Sequence, residues 1–436
     1  MTLPNTPPQP EALPASEALS PKTSSPARKS RSIWRLPDFV KFWTGQSVSK
    51  LGDNFALLAL PLLLLQLTGS PLTLGFAEAA YFVPYLVLGL PAGALADRLP
   101  RRRVMMICDA TRTLTFAMMT TLLVVGILRR DTVWVIFALQ AINGVATIFF
   151  DVSYLAATPN IVSPDQLLAA NSALQVSDST SQLAGPPLAG AIFQAFGAAL
   201  SLVANAASFV ISFVSLALIP HEFRHASAQD GEASATKPRI GHDIREGLRF
   251  VWGQPVLRWT ILLIASSNFF SNVTFPLILF RMRNQLHFSG GLVGVVLGCE
   301  AAGGIAGSFV AGRLGRRFGM LPIALSTEMF ITLTPIVFVA TDQAWIFALA
   351  WLIVGMGIVV VNVNILTLRQ SITPDHMMSR MQGVARTIAW SLIPAGSIAG
   401  PALAIPLGLP AVLIIGSLVP AVMTFVIFLS PVRRLE

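Results

Sequence analysis

Three carboxylates lie deep inside long apolar runs and are the groups best suited to chemistry in this sequence: Asp53, Asp178 and Glu300. An ionisable group in hydrocarbon is costly and marks either a pathway or a buried pair. A carboxyl group shielded from water can also take up and release a proton near neutral pH. We therefore predict proton coupling first at Asp53, then at Asp178 and Glu300. The alternatives are a structural pair of Asp53 with Lys50 and interhelical pairs for the other two.

Polar residues at helical spacing accompany these carboxylates. Gln46 shares a helical face with Asp53, and Gln175 belongs to the same stripe as Asp178. Such stripes on membrane helices face water or protein, so they favour a central aqueous cavity. Asn268 and Asn272 form a short polar face and are further candidates for coupling or substrate binding. Arg386 is another candidate, which could neutralise a carboxylate or hold the two halves of the chain together. Glu78 is the last, and it could line an outer gate.

The remaining reactive residues do not form an enzymatic or metal-binding pattern. The five histidines fall in loops without metal-ligand spacing, and no phosphate-binding glycine loop is present. The net charge of +9 comes from short basic clusters between apolar runs, which does not suit nucleic-acid binding. We expect no enzymatic activity, no cofactor, no bound metal and no nucleic-acid partner.

Apolar runs of membrane-spanning length fill most of the chain. Hydrophobic residues make up 54% of the sequence and charged residues only 12%, about half the usual charged fraction of a soluble domain. A membrane-spanning helix needs about 20 apolar residues. We predict an all-α membrane protein with twelve spans, near residues 39–67, 71–96, 104–127, 132–157, 167–195, 197–219, 256–281, 290–312, 320–340, 344–368, 379–405 and 408–430.

The distribution of arginine and lysine predicts the orientation. With the N-terminus inside, most basic residues fall in inner loops, as the positive-inside rule requires. We expect a multi-pass protein of the plasma or inner membrane with both termini in the cytoplasm. The predicted division is a disordered tail over 1–36, a bundle over 37–219, a linker with an amphipathic surface helix over 220–255, a second bundle over 256–430 and a tail over 431–436. The linker helix could instead extend the seventh span.

Three short motifs recur in the same order in the two bundles. One of them pairs Ala184-Gly185-Pro186 with Ala399-Gly400-Pro401. Two parallel repeats that enclose a site near the bilayer midplane are a transporter architecture. We therefore predict two pseudo-symmetric bundles of six helices, with a passage between them.

The loop after the second span resembles the signature loop of the major facilitator superfamily. It runs from Gly93 through Asp97 and Arg98 to Arg101 and Arg102, with Pro100 where the family usually has glycine. The resemblance implies the major facilitator fold and a gating role for Asp97 and the arginines, which would close the inner face. A purely topological role for these basic residues is the alternative.

The fifth span carries a second family-like motif. Gly185, Pro186 and Gly190 are similar to the signature of facilitator antiporters, with Ala189 in place of one glycine. Ordinary helix packing is the alternative explanation. Many proton-driven exporters have an arginine four residues before a glycine in the fourth span. Here Gln140 precedes Gly144, so that proton mechanism cannot be carried over through this residue.

The chain looks most like the branch of drug, macrolide and enterobactin exporters, on the motifs Gly45-Gln46-Ser47-Val48-Ser49, Ala156-Ala157-Thr158-Pro159 and Ala170-Asn171-Ser172-Ala173-Leu174. This resemblance implies a monomeric secondary transporter that exports an amphiphilic small molecule by alternating access, as proton antiport, among membrane lipids. An importer or lipid flippase on the same fold is the main alternative. A receptor or scaffold that transports nothing is a more remote one.

Overall fold

The computed structural model describes residues 32–96, 99–220, 240–374 and 377–429, and helices dominate these ranges. Proline at the first turn of several helices suits a position whose N–H needs no helical partner. The helices are α1 (Pro37–Thr68), α2 (Pro71–Ala96), α3 (Arg101–Val124), α4 (Trp134–Ala157), α5 (Leu167–Ala217), α6 (Ile240–Gly253), α7 (Pro255–Phe280), α8 (Gly290–Phe318), α9 (Met320–Thr332), α10 (Thr334–Ala340), α11 (Ala344–Ile372), α12 (Met378–Ser391), α13 (Ile393–Leu407) and α14 (Leu409–Leu429).

These helices form twelve spans. Within the described ranges, ten helical stretches are long and apolar enough to cross a membrane. One of them, α5, holds two spans because the chain turns at Gly197, whose φ of 78° favours glycine. The remaining span is α3, whose charged residues lower its hydropathy. The predicted all-α fold of two six-helix bundles is confirmed. Two of the spans are broken: α9 and α10 together form one span, and α12 and α13 together form another.

Alternating spans define two ends of the molecule. We call the end where α1 begins the Pro37 end, and the end where it stops the Gly69 end. The short helix α6 lies at the Pro37 end and packs against α12, where Glu246 and Arg380 form an ion pair of 2.7 Å. Gln254 has an extended backbone between α6 and α7, so α6 is separate from the seventh span.

The two bundles touch through equivalent pairs of spans. One contact joins α5 to α8, and the other joins α2 to α13. In the first, a Cβ atom on Gly294 would overlap the Pro186 carbonyl. In the second, Gly75 lies against the Ser397 backbone, and the Ser397 hydroxyl donates to the Gly75 carbonyl at 3.2 Å. Because all four residues lie in the Gly69 half, the bundles are closed against each other there.

The repeated motifs occupy equivalent packing positions within their own bundles. Gly185 of α5 lies against Asn54 of α1, whereas Gly400 of α13 lies against the Val273 backbone of α7. A side chain at either glycine would collide with the facing helix. Small residues thus allow the fifth and eleventh spans to approach the first and seventh, as membrane helix packing commonly requires.

A buried polar network ties the first bundle together. Arg112 and Asp109 form an ion pair on α3 in which both side chains are buried. Ser212 of α5 donates to Asp109 at 2.6 Å, and Gln46 of α1 donates to Ser212 at 3.0 Å. The network therefore connects spans one, three and six.

Aromatic rings complete the site around Arg112. Its guanidinium lies 4.0 Å from the ring centroid of Phe150 and 4.4 Å from that of Phe209. Cation–π attraction is strongest where water is excluded, as it is here. Arg112 is thus held by one carboxylate and two ring faces.

We predict that Gly294→Ala separates the bundles at the Gly69 end. The added methyl group would overlap a backbone carbonyl, and such overpacking costs about 1–3 kcal/mol. This energy corresponds to roughly a 5- to 150-fold shift in a conformational equilibrium. Spin labels at Asp131 and Gln343, which are both exposed at the Gly69 end, would report a larger population of long distances.

Gly304→Ala on the same helix is the matched control. A methyl group there would make an ordinary 3.4 Å contact with the Val359 side chain, so the distance distribution should stay as in the unsubstituted protein. Equal distributions for all three proteins would contradict the steric argument.

We predict that Asp109→Asn destabilises the first bundle strongly. Removing one partner of a buried ion pair leaves an uncompensated charge and costs about 3–5 kcal/mol. Asp342→Asn is the control, because Asp342 is 70% exposed in its ion pair with Arg281, and such pairs contribute about 1 kcal/mol or less. Thermal unfolding in detergent measures both, and equal losses would refute the buried-pair assignment.

Candidate functional site

A cleft of about 620 Å³ separates the two bundles in the Pro37 half. Polar residues of the first turns of α5 line one wall, and Ile305 of α8 forms part of the other. The same two helices touch farther along, at Pro186 and Gly190 on α5 and at Gly294 and Gly290 on α8. The cleft therefore ends where the glycine contacts begin. Its α5 wall is formed by Asn171, Ser172, Gln175, Val176, Ser179 and Thr180.

Gln175 and Asp178 lie on the part of α5 that borders this cleft. Gln175 is exposed, and Asp178 is half-buried. The Asp178 carboxylate accepts a hydrogen bond of 2.9 Å from Gln182, one helical turn away. Asp178 thus has a local polar partner and no ion pair among the described residues.

Asp53 has a half-buried carboxyl group without a hydrogen bond or ion pair in the described part of the chain. It does not pair with Lys50, whose ammonium lies 5.7 Å from the ring centroid of Tyr154. Lys50 and Arg112 are the opposite charges that interact electrostatically with Asp53, whereas Asp151 and Asp178 are the like charges. Asp53 therefore interacts with four other charged residues of the first bundle.

An aromatic bridge, formed by Phe82 and Tyr85 of α2 and Trp390 of α12, joins the two bundles at mid-depth. The ring centroid of Trp390 lies 5.7 Å from that of Tyr85 and 6.5 Å from that of Phe82. The Tyr85 hydroxyl donates to the Asp151 carboxylate at 3.2 Å. This bridge connects the second bundle directly to a carboxylate of the first.

Arg386 lies beside this bridge and is exposed. Its guanidinium is 4.3 Å from the ring centroid of Trp390, and it forms no ion pair among the described residues. Glu78 is half-buried on α2, in the Gly69 half, and likewise has no polar partner in those ranges. Arg386 therefore lies at the interface between the bundles, where it contacts the Trp390 ring and pairs with no carboxylate among the described residues.

The predicted amides have structural partners. Gln46 is buried in the network with Ser212, so its amide points into the packing of the first bundle and away from the cleft. Asn268 donates to the Ala389 carbonyl at 2.8 Å, and Asn272 donates to the Asn268 carbonyl at 2.8 Å. The first bond joins the seventh span to α12, and the second lies within the seventh span.

Asn272 and Glu300 line a second cavity, which we call the C-half chamber. It has a volume of about 290 Å³ and lies inside the second bundle, between α7, α8, α9, α10, α11 and α14. Glu300 is half-buried. This carboxylate therefore faces a chamber of its own, and the structure does not bring it together with Asp53 or Asp178.

The family-like loop is described only in part. Gly93 lies near the end of α2, whereas Asp97 and Arg98 lie outside the described residues. Arg101 begins α3, and Arg102 donates to the carbonyls of Leu216 and Ala217 at 2.7 and 2.8 Å. A cation at the carboxyl end of a helix satisfies free carbonyls and complements the helix dipole. Arg102 thus joins the third and sixth spans of one bundle.

Sequence reasoning missed Asp151, Tyr85 and Trp390. Asp151 carried a usable signal, because it is an ionisable residue inside a predicted span. Tyr85 and Trp390 carried none, because aromatic residues are common in membrane helices and their contact joins distant parts of the chain. In the described ranges, no three His, Cys, Asp or Glu residues cluster closely enough to hold a metal ion.

Known proteins resemble this chain in both sequence and fold. The multidrug efflux pump Tap of Mycolicibacterium fortuitum is 27% identical over 88% of this chain and 94% of its own length. Macrolide efflux protein A of Streptococcus pyogenes is 24% identical over 84% of this chain and 88% of its own. A bacterial homologue of the iron transporter ferroportin, in its inward-facing state, shares the fold with a TM-score of 0.70 at 18% identity, over 91% of this chain and 100% of that one.

The family model of the Major Facilitator Superfamily matches residues 42–401, which is most of the chain. This match agrees with the two bundles and with the cleft between them. The chain is therefore a multi-pass membrane transporter of small molecules that belongs to the Major Facilitator Superfamily.

Proposed function

We propose that this transporter exports an amphiphilic small molecule in exchange for protons, by alternating access. The observation that carries the proposal is the asymmetry of the interface: the bundles touch in the Gly69 half and enclose a polar cleft in the Pro37 half. A molecule entering this cleft would meet amide and hydroxyl groups of α5 together with the apolar side chains of Val176 and Ile305. Two relatives named as efflux pumps support the outward direction.

The Pro37 end is the cytoplasmic end in this proposal. It carries Arg101, Arg102, Arg313, Arg369 and Arg380, so the positive-inside rule favours this orientation in a plasma or inner membrane. Both termini are then cytoplasmic. The bundles correspond to 37–219 and 256–430, with the linker helix α6 on the cytoplasmic side. Since one chain supplies both bundles, a monomer is sufficient for the cycle.

Asp53 is the proposed proton carrier. Its carboxyl group has no hydrogen bond or ion pair in the described residues, and it lies near Lys50, Arg112, Asp151 and Asp178. A proton gained or lost at Asp53 changes the electrostatic energy of this whole group, because charges interact strongly in a medium of low dielectric constant. Such a change can shift the populations of the two conformations.

The gating loop, which contains Asp97, Arg98, Arg101 and Arg102, would act in the conformation in which the Gly69 end is open. Arg102 stays within its own bundle while the Pro37 half is open. We propose that Asp97, Arg98 and Arg101 help to close this end when the Gly69 end opens. Gly190, which lies against Gly290 of α8, would then let α5 part from α8 and close again, while Gly185 keeps α5 packed on Asn54 of α1.

Export in everted membrane vesicles under an imposed pH gradient tests the proposal. Macrolides, siderophores and lipids form the substrate panel, and the host strain lacks its own exporters. We expect gradient-driven uptake of at least one compound, and we expect Asp53→Asn to reduce it at least tenfold. Asp131→Asn, which removes an exposed carboxylate, is the control and should keep the uptake within twofold.

The outcomes separate the parts of the proposal. Flux that is indifferent to the pH gradient would exclude proton antiport. Gradient-driven flux that survives Asp53→Asn would exclude Asp53 as the carrier. Uptake of the compound by intact cells in place of export would identify an importer, and flux of the lipid alone would identify a flippase. No flux for any member of the panel would refute the proposed substrate class.

We predict that Trp390→Ala weakens substrate binding. Loss of the ring removes its contacts with Phe82 and Tyr85 and leaves Arg386 without its aromatic partner. We assign Trp390 a direct contact with the substrate. A hot-spot tryptophan at a protein interface contributes about 2 kcal/mol or more, so with such a contact the apparent Kd should rise roughly 30-fold. Trp345→Ala is the matched control, because Trp345 is 66% exposed at the start of α11. Equal Kd values for both variants in an equilibrium binding assay would refute a role for the bridge.

A further inference from the structure

The first turn of α8 is capped from both bundles. This helix begins at Gly290, and the first N–H groups of a helix have no acceptor within it. The Ser289 hydroxyl, in the same bundle, accepts a hydrogen bond of 3.2 Å from the Leu292 N–H. The Oε1 atom of Gln194, in the first bundle, accepts one of 3.0 Å from the Gly291 N–H. We call this second bond the cross-bundle cap.

Two glycines bring the Gln194 amide within reach of the α8 backbone. Gly190 lies one helical turn before Gln194 on α5, and a Cβ atom on it would lie 2.3 Å from the Gly290 carbonyl oxygen. A Cβ atom on Gly291 would lie 2.8 Å from the Oε1 atom of Gln194. Side chains at these positions would hold the two helices apart or displace the amide. The cross-bundle cap therefore depends on the close approach of the two backbones.

The cross-bundle cap lies at the Gly69 end of the interface. Gln194 is exposed and comes three residues before the turn at Gly197, which ends the fifth span. If the bundles part at this end, the amide oxygen and the Gly291 N–H can each bind water in place of one another. The net contribution of such a bond is modest, because it replaces bonds to water. The cap can thus break and re-form as the bundles move.

Another hydrogen bond across the interface is less sensitive to opening. The Ser397 hydroxyl donates to the Gly75 carbonyl, but the Pro394 carbonyl of its own helix lies within 3.1 Å of the same hydroxyl. Ser397 therefore keeps an acceptor when the bundles part. The Gly291 N–H lies in the first turn of α8 and has no such alternative within its helix.

We propose that Gln194 is a gate residue of this transporter, whose amide oxygen stabilises the closed Gly69 end through the α8 backbone. The proposal rests on the alternating access proposed above, because the cap breaks only if the bundles part at this end. A bond that is present in one conformation and absent from the other shifts the balance between them by its own free energy. Glycine packing permits the closed contact, and the cross-bundle cap adds a directional bond to it.

A double-mutant cycle on the purified full-length protein tests the cap. Gln194→Ala removes the acceptor, and Gly291→Ala displaces it, because the new methyl group would overlap the Oε1 atom. Spin labels at Asp131 and Gln343 report distances across the Gly69 end, as above. We expect each substitution to raise the ratio of long to short distances about 2- to 10-fold, the effect of losing one hydrogen bond. The double variant should show no further increase, since both substitutions remove the same bond.

Two more variants separate the cap from general effects of substitution. Gln285→Ala is the matched control, because Gln285 is exposed at the same end and its side chain accepts from Arg281 of its own bundle at 3.4 Å. Its distance ratio should stay as in the unsubstituted protein. Gln194→Glu keeps an acceptor oxygen and places a negative charge at a helix N-terminus, which is favourable. Its ratio should therefore not rise.

The proposal is overturned if Gln194→Ala or Gly291→Ala behaves like Gln285→Ala, or if their effects multiply in the double variant. It is also overturned if Gln194→Glu opens the end as Gln194→Ala does. Gly294→Ala shows whether the end can open at all. Opening in Gly294→Ala without opening in Gln194→Ala removes only the cap, whereas short distances in every variant would contradict alternating access as well. No substrate is used, so these outcomes do not depend on which compound is exported.

Discussion

The contact of helix backbones at glycine is the constraint on which the rest of this structure depends. Where Gly294 meets the Pro186 carbonyl and Gly75 meets Ser397, the bundles approach as closely as two helices can. The two contacts join equivalent pairs of spans, so both sides of the interface are closed in the Gly69 half. Away from them the same helices diverge, and the polar cleft follows from that divergence. Bulkier residues would hold the helices apart along their whole length and remove the difference between the two ends.

In the low-dielectric interior, charges that have a fixed partner differ from charges that have none. In the first bundle, Asp109 neutralises Arg112, and Phe150 and Phe209 cover the guanidinium, so this pair can remain fixed through a conformational change. Asp53 interacts electrostatically with Arg112 but lies outside the pair, and it has no hydrogen bond or ion pair among the described residues. A carboxylate with no fixed partner can change its charge without leaving a buried partner uncompensated. Structural and mobile charges are thus separated within one bundle.

The apolar runs predict the spans well, because a helix must satisfy every backbone group inside the membrane. They fail to show that α9 and α10 are separate helices, since the break near Leu333 depends on local geometry and not on hydropathy. Helical periodicity likewise predicts that Gln46 and Asp53 share a face, and they do lie on one helix. However, it cannot tell which neighbour each one meets. Ser212 binds Gln46, whereas no described residue binds Asp53. Such contacts join residues that are far apart in the chain, so the spacing of residues in a single sequence does not predict them.

The repeat explains the framework of the molecule but not its chemistry. Equivalent glycines place α5 on α1 and α13 on α7, so both bundles inherit the same packing. Their polar interiors nevertheless differ: the first bundle holds an arginine that compensates its acids, and the second holds two glutamates without a counter-charge in the described residues. Because the frameworks are similar and the charges differ, a change in protonation would alter the electrostatic energy of the two bundles by different amounts. A proton or a ligand that interacts differently with two conformations shifts the balance between them.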